Sequence, residues 1–379
     1  MNAMKIRTIL ISCCSALLFL GCGTSEPADI NIGFIGPLTG HAVDLGVGPA
    51  RALQLAVDQY NQKKTAEQPH VNLFCEDDHW EKENALPAYA KLRKEHAIEI
   101  VFVSNTDGTV ALQQKVLEDH VILINAINND ALLSTMNKNT FKIAKKTEEA
   151  AAVVAGRILE LNKKRLSIFY VTNDFMTRTA KAIEKIMLDR DIDCQMLPVD
   201  LHQSIFDREI EMCLKQNSDA IVFCGYQNLG FAMKKVRERG IDASYFGSTT
   251  LLGDNFFENA MGAMVGAEFS FFTPADGNYV LAEQFLQAYR KKYGANPFAI
   301  WPPMQAYDAM NLVLGYVGAS AARSDDESLE DYLRKAMLST TFYQGICGNV
   351  AILPDGSSRG IYFSLYSMTG KGMMEKVKR

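Results

Sequence analysis

The sequence lacks a long apolar run after its first twenty residues, and it lacks a basic excess. No later stretch of the 379 residues approaches the ~18 consecutive apolar residues that a membrane-spanning helix needs. Lysine and arginine together number 39, against 44 acidic residues, and the net charge is −5. A nucleic-acid-binding protein needs a basic face to neutralise phosphates, so this charge argues against a nucleic-acid partner.

Common catalytic motifs are also missing. The chain has no phosphate-binding P-loop and no H-E-x-x-H, and its six histidines are scattered. Residues 356–360, Gly-Ser-Ser-Arg-Gly, match the letters of a hydrolase nucleophile motif, which requires a strand-to-helix turn and a later histidine. Here the stretch lies in a predicted strand–turn–strand, and no histidine follows His202. We therefore expect a protein that carries a ligand and is not an enzyme, with a hydrolase as a distant alternative.

One short stretch contains metal-ligand residue types. Cys75, Asp77, Asp78 and His79 are close in sequence, but the alternation of a β-strand would divide them between two faces. Acids that cap a solvated strand end explain the stretch better than a metal site. We expect neither a metal nor a cofactor. Five cysteines follow Cys22, an odd number, so at least one thiol is unpaired.

The N-terminus has the features of an export signal. Lys5 and Arg7 precede an apolar run from Ile9 to Leu20, which is too short to cross a bilayer. The run ends at Gly21-Cys22, ahead of a polar stretch, and this resembles the cleavage box of bacterial lipoproteins. We expect residues 1–21 to be a signal peptide, 22–29 a tether and Cys22 the lipidated first residue of a periplasmic, membrane-anchored protein. A plain signal peptide with an incidental cysteine is the alternative.

Strand-like and helix-like segments alternate through most of the remaining chain. The amphipathic segments have apolar residues at helical spacing, whereas the short apolar runs suit strands that are buried on both faces of a parallel sheet. The pattern predicts an α/β fold with doubly wound, mostly parallel sheets. The predicted strands include Ile98–Val103, Val121–Ile124, Leu166–Val171 and Ala220–Cys224. The predicted helices include Glu148–Leu161, Arg178–Leu188 and Phe231–Glu238.

Three loops stand where such a fold binds ligands. The first strand is followed by a glycine-rich loop with Gly36 and Gly40, and polar loops at 105–109 and 125–129 follow two later strands. Ligands bind at the carboxyl ends of parallel strands, where helix N-termini favour anions. Thr106 or Asp107 could serve as a ligand contact, as a helix N-cap, or as both.

The order of several motifs resembles a known family. Four motifs occur in this order: Ile-Gly-Phe-Ile-Gly-Pro-Leu-Thr-Gly at 32–40, Leu-Ala-Val-Asp-Gln-Tyr-Asn at 55–61, Ala-Tyr-Asp-Ala at 306–309 and Phe-Tyr-Gln-Gly-Ile-Cys-Gly at 342–348. Together they are similar to the periplasmic solute-binding proteins of the branched-chain amino-acid type, which deliver ligands to ABC importers. The resemblance implies two Rossmann-like lobes with a three-strand hinge, the class I periplasmic binding protein fold.

The resemblance also implies lobe boundaries. Lobe 1 would comprise residues 30–143 and 273–342, and lobe 2 residues 144–272 and 343–379. The three crossovers are expected near Phe141–Lys145, Glu268–Thr273 and Phe342–Gly348.

Site residues carried over from the family fall on both lobes. On the first lobe, Thr106 occupies the place of a carboxylate-binding serine, and Asn129, beside Asn128, that of a threonine. Phe175 and Tyr226 match aromatic positions of the second lobe, and Leu45 matches a position at the cleft entrance.

One family feature is absent. The acid that binds an amino acid's ammonium is replaced by Ser248-Thr249-Thr250, after Phe246-Gly247. Since an ammonium without a counter-charge is costly to desolvate, either Asp107 substitutes for that acid or the ligand has no α-ammonium.

These expectations leave two functional classes. The chain is either the solute-binding subunit of an ABC importer, with permease subunits as partners, or a periplasmic receptor that reports a ligand to a membrane sensor. The same fold serves both.

Overall fold

The computed structural model describes residues 27–40, 42–128, 133, 136–272, 280–297, 299–324 and 326–378. The expected signal peptide and Cys22 therefore lie outside the described residues, as does Asn129. The side chains of Asp174, Asp254 and Phe272 are also not described.

Two sheets form the centres of two lobes, as the sequence predicts. The first has the strand order β2-β1-β3-β4-β5, and all of its strands are parallel. Its strands are β1 (Ile30–Gly36), β2 (Val71–Asp77), β3 (Ile100–Val103), β4 (Ile122–Asn125) and β5 (Thr140–Lys142). Every residue of β3 and β4 is buried, because helices cover both faces.

The second sheet has the order β15-β14-β10-β9-β8-β6-β7. Its central pairs are parallel, and only the β10–β14–β15 edge is antiparallel. The strands are β6 (Leu166–Val171), β7 (Cys194–Val199), β8 (Ala220–Cys224), β9 (Ser244–Gly247), β10 (Glu268–Phe272), β14 (Phe363–Gly370) and β15 (Met373–Lys376).

The helices connect these strands. In the first lobe the helices are α1 (Val47–Lys63), α2 (Lys82–His96), α3 (Thr106–Glu118), α9 (Val280–Tyr293), α10 (Trp301–Ala319) and α11 (Leu329–Leu338). In the second lobe they are α4 (Thr147–Glu160), α5 (Asp174–Leu188), α6 (Asp207–Gln216), α7 (Leu229–Glu238) and α8 (Asp254–Ala260). None of the described helices has the length and hydrophobicity needed to cross a membrane.

The C-terminal region contains both strands that the sequence pattern predicts around a turn, at Asn349–Leu353 and Ile361–Ser367, but they do not pair with each other. β12 (Asn349–Ile352) pairs with the short strands β11 (Tyr343–Gln344) and β13 (Ser358–Arg359). β14 instead pairs with β10 in the second sheet. A hydrophobic run alone cannot specify which of two sheets a strand joins.

This small sheet is attached to the first lobe. The backbone N–H groups of Ile346 and Cys347 donate to the carboxylate of Asp308 on α10, at 2.7 and 2.8 Å. The Ala144 amide donates to the Ser358 hydroxyl at 3.1 Å. The expected third crossover near Phe342–Gly348 therefore packs against α10, and the chain reaches the second sheet only at β14.

Candidate ligand-binding cleft

A cleft with a volume of about 300 Å³ lies between the two lobes. It is lined from the first lobe by the segment after β2 and by the start of α3, and from the second lobe by the loops after β6, β7 and β8. The lining residues are Trp80, Glu81, Lys82, Glu83, Asn105, Thr106, Asp107, Asn173, Phe175, Leu201 and Tyr226. The position agrees with the rule that ligands bind at the carboxyl ends of parallel strands.

Asn105 is the residue that caps α3. Its side-chain oxygen accepts hydrogen bonds from the amides of Asp107 and Gly108, at 2.9 and 3.3 Å. The amide of Thr109 donates to the Asn105 carbonyl. The capping role that the sequence left open for Thr106 or Asp107 thus belongs to Asn105. The amides of Asp107, Gly108 and Thr109 in the first turn of α3 all donate to Asn105 and are not available to a ligand.

Thr106 and Asn128 contact each other beside this cap. The Asn128 side-chain amide donates to the Thr106 hydroxyl at 3.0 Å, and both residues are buried. Because the hydroxyl accepts this bond, its own proton is available for another acceptor. The Oδ1 atom of Asn128 is buried and has no hydrogen-bond partner among the described residues.

Asn173, Phe175 and Tyr226 form the second-lobe side of the cleft. The Asn173 side chain caps α5 by accepting from the Met176 amide at 2.8 Å, and its NH2 group donates to the Tyr226 hydroxyl at 3.0 Å. Burial raises the pKa of Tyr226 above its ordinary value, so the phenol stays protonated at neutral pH. Phe175 and Tyr226 thus lie together in the cleft, opposite Thr106 and Asp107.

Trp80 is a cleft residue that the sequence analysis missed. It lies on the first lobe, and its ring meets that of Tyr226 edge to face. The backbone at His79 and Trp80 adopts φ values of 52° and 67°. This left-handed conformation is uncommon for residues other than glycine. The neighbouring acids hold the turn: Asp77 accepts from the His79 amide and Asp78 from the Trp80 amide, both at 2.9 Å. A sequence signal was present, since an aromatic residue follows two acids at the carboxyl end of β2.

Lys145 and Trp301 are a second pair that the sequence analysis did not identify. Lys145 follows β5, where the chain passes from the first lobe to the second, and Trp301 begins α10. Both side chains are buried, and the lysine Nζ lies 4.7 Å from the centre of the tryptophan ring. It also lies 5.5 Å from the centre of the Phe175 ring, which faces the cleft.

Three expected site residues, Asn128, Leu45 and Thr249, are not among those that line the cleft, although Asn128 contacts the lining residue Thr106. Leu45 is buried in the hydrophobic core at the end of the short helix Val43–Leu45, and Thr249 is fully buried beside Ser248. Near them the lobes contact each other: Asn255 of α8 donates to Asp44 at 3.0 Å. No group of three or more potential metal ligands occurs within the described part of the chain.

Solved structures share this architecture. A leucine-binding protein, LivK, from Thermotoga maritima superposes with a TM-score of 0.80 at 18% identity, covering 92% of this chain and 98% of that one. The branched-chain amino-acid transporter substrate-binding protein LivJ of Streptococcus pneumoniae, in complex with isoleucine, superposes with a TM-score of 0.77 at 22% identity. The match covers 93% of this chain and 100% of that one.

An ABC-transporter solute-binding protein of Rhodopseudomonas palustris, in complex with 3,4-dihydroxybenzoic acid, is similar in the same way. Its TM-score is 0.80 at 15% identity, with 92% of this chain and 96% of that one covered.

No curated protein matches the sequence. The family model described as periplasmic binding protein matches residues 29–361. This family and these neighbours are solute-binding proteins and not enzymes. The chain belongs to the periplasmic binding protein family.

Proposed function

We propose that this protein is the extracytoplasmic solute-binding lipoprotein of an ABC importer and captures a small polar ligand, an amino acid or a related carboxylate. One observation carries the proposal: polar and aromatic side chains of both lobes line a single cleft. The sizes of the ligands bound by the solved neighbours, isoleucine and hydroxylated benzoic acid, suit a cleft of about 300 Å³.

The proposed site uses the two lobes differently. Thr106 donates its hydroxyl proton to an acceptor on the ligand, and Asn128 holds that hydroxyl in position. Asp107 faces any amine that the ligand carries. Phe175 and Tyr226 cover the apolar part of the ligand from the second lobe. The remaining members of the proposed set are Asn129, Leu45 and Thr249.

The proposal extends to the lobes and the anchor. Residues 30–143 and 273–342 would form the lobe that first contacts the ligand, and residues 144–272 and 343–379 the lobe that closes on it. Within 343–379 the β11–β13 sheet remains packed on α10 of the first lobe. Cys22 would carry the lipid that holds the protein at the membrane, close to its permease partner.

A thermal-shift screen of the mature protein tests the proposal. A ligand that binds only the folded state raises the apparent stability by mass action. We expect members of a panel of amino acids and small aliphatic or aromatic acids to raise the Tm, and calorimetry to give one site per chain. If no member of the panel does so, the proposed ligand class is wrong.

Transport is tested separately in the producing cell. Deleting the gene should abolish high-affinity uptake of the identified ligand. Unchanged uptake in the deletion strain, with binding intact in vitro, would instead indicate a sensory receptor.

A further inference from the structure

Three aromatic side chains line the cleft, Trp80 from the first lobe and Phe175 and Tyr226 from the second. The ring planes of Trp80 and Tyr226 lie at 80° to each other, so the two rings form the walls of a corner. Tyr226 is 4% exposed and Phe175 is 7% exposed, so a group held against these rings has little contact with water. The face of an aromatic ring attracts cations, and the attraction is stronger where water is excluded.

The charged residues of the described lining have an acidic excess. They are three acids and one base: Glu81, Glu83, Asp107 and Lys82. The Lys82 ammonium lies 4.0 Å from the Glu83 carboxylate, and both side chains are exposed, so this pair has little effect inside the cleft. Asp107 is half-buried. Burial, and then the nearby charge of Asp107, raise the pKa of the Tyr226 phenol, which places this carboxylate close to the aromatic corner.

Away from the exposed residues 81–83, the cleft has few free side-chain acceptors. The Asn105 side-chain oxygen already accepts from two amides, and that of Asn173 accepts from the Met176 amide. The Asn128 Oδ1 atom has no partner among the described residues, but Asn128 does not line the cleft. A primary ammonium has three N–H donors that need acceptors once water is removed. An ammonium with methyl groups in place of its hydrogens needs none, and its methyl groups pack against rings.

Phe175 is already in contact with a cation of the protein itself. The Lys145 Nζ atom lies 5.5 Å from the centre of the Phe175 ring and 4.7 Å from that of Trp301. A second cation at Phe175 would be repelled by this ammonium. The corner between Trp80 and Tyr226 is therefore the part of the cleft that suits a cationic group of the ligand.

We propose that the ligand is an amino acid with a quaternary, N-methylated ammonium group, and that this group binds in the corner between Trp80 and Tyr226, beside Asp107. The inference rests on the proposed function and names the ligand class, while the carboxylate of the ligand stays with Thr106 on the first lobe. A quaternary ammonium needs no hydrogen-bonding acid at Ser248-Thr249-Thr250, where the resemblance to the family led us to expect one.

Two matched sets of three compounds test the inference by calorimetry on the wild-type protein. One set is glycine betaine, glycine and 3,3-dimethylbutanoate, and the other is N,N,N-trimethylleucine, leucine and 2-tert-butyl-4-methylpentanoate. In each set the second compound lacks the methyl groups, and the third has the same shape without the positive charge. In at least one set the quaternary compound should bind about tenfold or more tightly than both others.

Variants test the roles of the ring and the carboxylate through the ratio of affinities for the quaternary compound and its uncharged analogue. Trp80→Leu should lower this ratio about three- to tenfold, whereas Trp80→Phe, which keeps an aromatic ring, should retain most of it. Asp107→Asn should lower the ratio as well. Glu83→Gln is the matched control, because it removes an exposed charge of the lining, and it should change the ratio less than about twofold.

If Trp80 only holds the lobes together, Trp80→Leu will weaken both compounds by the same factor, and the inference is wrong. It is also overturned if in both sets the parent amino acid or the uncharged analogue binds as tightly as the quaternary compound. Binding of other amino acids or acids, but of no quaternary compound, leaves the proposed function intact and removes this inference. If none of the compounds binds, both fail.

Discussion

Trp80 and Tyr226 meet edge to face across the cleft, with ring centroids 6.2 Å apart and an interplanar angle of 80°. The two rings belong to different lobes, so this contact exists only when the lobes are close together. A second interlobe contact, between Asn255 and Asp44, lies away from the cleft lining. The described conformation is therefore a closed one, and opening the cleft breaks both contacts.

We expect the two lobes to open and close by hinge motion, as two-domain proteins that bind ligands in a cleft do. We expect small-angle X-ray scattering to give a smaller radius of gyration with saturating ligand than without it. Trp80→Ala should reduce the difference, because it removes a contact that only the closed state makes. Identical scattering with and without ligand, while calorimetry shows binding, would contradict closure.

Thr106→Val should weaken ligand binding about ten- to a hundredfold, since one buried hydrogen bond to a charged or strongly polar group costs about 1.5–3 kcal/mol. The fold should remain intact because the substituted side chain has the same shape, with a loss of stability of about 1–3 kcal/mol because the buried Asn128 amide loses its acceptor. Thr106→Ser, which keeps the hydroxyl, is the control and should bind nearly as well as the wild type. Isothermal calorimetry measures the affinities, and an unchanged Thr106→Val affinity would remove Thr106 from the site.

Asp107→Asn tests whether the ligand carries an amine. The substitution removes a negative charge from the cleft, so it should weaken binding of leucine but leave binding of the deaminated acid, 4-methylpentanoate, the same or improved. Competition calorimetry with the two compounds measures the change in preference. If both affinities change by the same factor, Asp107 does not contact the amine.

Cys22→Ala should release the protein into the soluble periplasmic fraction or block its processing, because acyl chains hold a protein at the membrane in proportion to their buried methylene groups. Cys14→Ala, within the apolar run of the signal peptide, is the control and should leave localisation unchanged. Cell fractionation followed by immunoblotting measures the distribution. Membrane association of the Cys22→Ala protein equal to that of the wild type would contradict lipidation.

Asp308 should make the stability depend on pH. Burial raises its pKa from an ordinary 3.8 to about 7, despite the two amides that donate to it. The folded state therefore binds a proton more tightly than the unfolded state, and this contribution is lost as the pH rises from about 4 to about 7. Asp308→Asn should flatten the dependence of the unfolding free energy on pH in this window, as measured by urea titration. An equal slope in both proteins would contradict the assignment.

The buried strands were the most predictable part of the fold. β6 and β8 have the predicted bounds, Leu166–Val171 and Ala220–Cys224, because strands covered on both faces are continuous apolar runs. Helix α5 is predicted from Arg178 but begins at Asp174, because the Asn173 side chain caps it there. Local patterns thus located the elements better than their ends.

The site was only partly predictable. Phe175 and Tyr226 were expected from the resemblance to the family, and both line the cleft. The position of Lys145 depends on the packing of α10, which a local pattern does not contain. Trp80 carried a local signal, the acids at the carboxyl end of β2, but its contact with Tyr226 depends on how the lobes meet. The capping of α3 by Asn105, rather than by Thr106 or Asp107, was likewise settled only by the observed side-chain geometry.

Trp80 and Trp301 are the only two tryptophans of the sequence; the first lines the cleft and the second lies against Lys145. Trp80 is half-buried at the cleft, whereas Trp301 is fully buried against Lys145. The tryptophan fluorescence of the protein therefore originates from two distinct environments, one indole at the cleft and partly in contact with solvent, and one buried beside an ammonium group. Emission from a Trp301→Phe protein reports the surroundings of Trp80 where the lobes meet, and emission from a Trp80→Phe protein reports the surroundings of Lys145, without any attached dye.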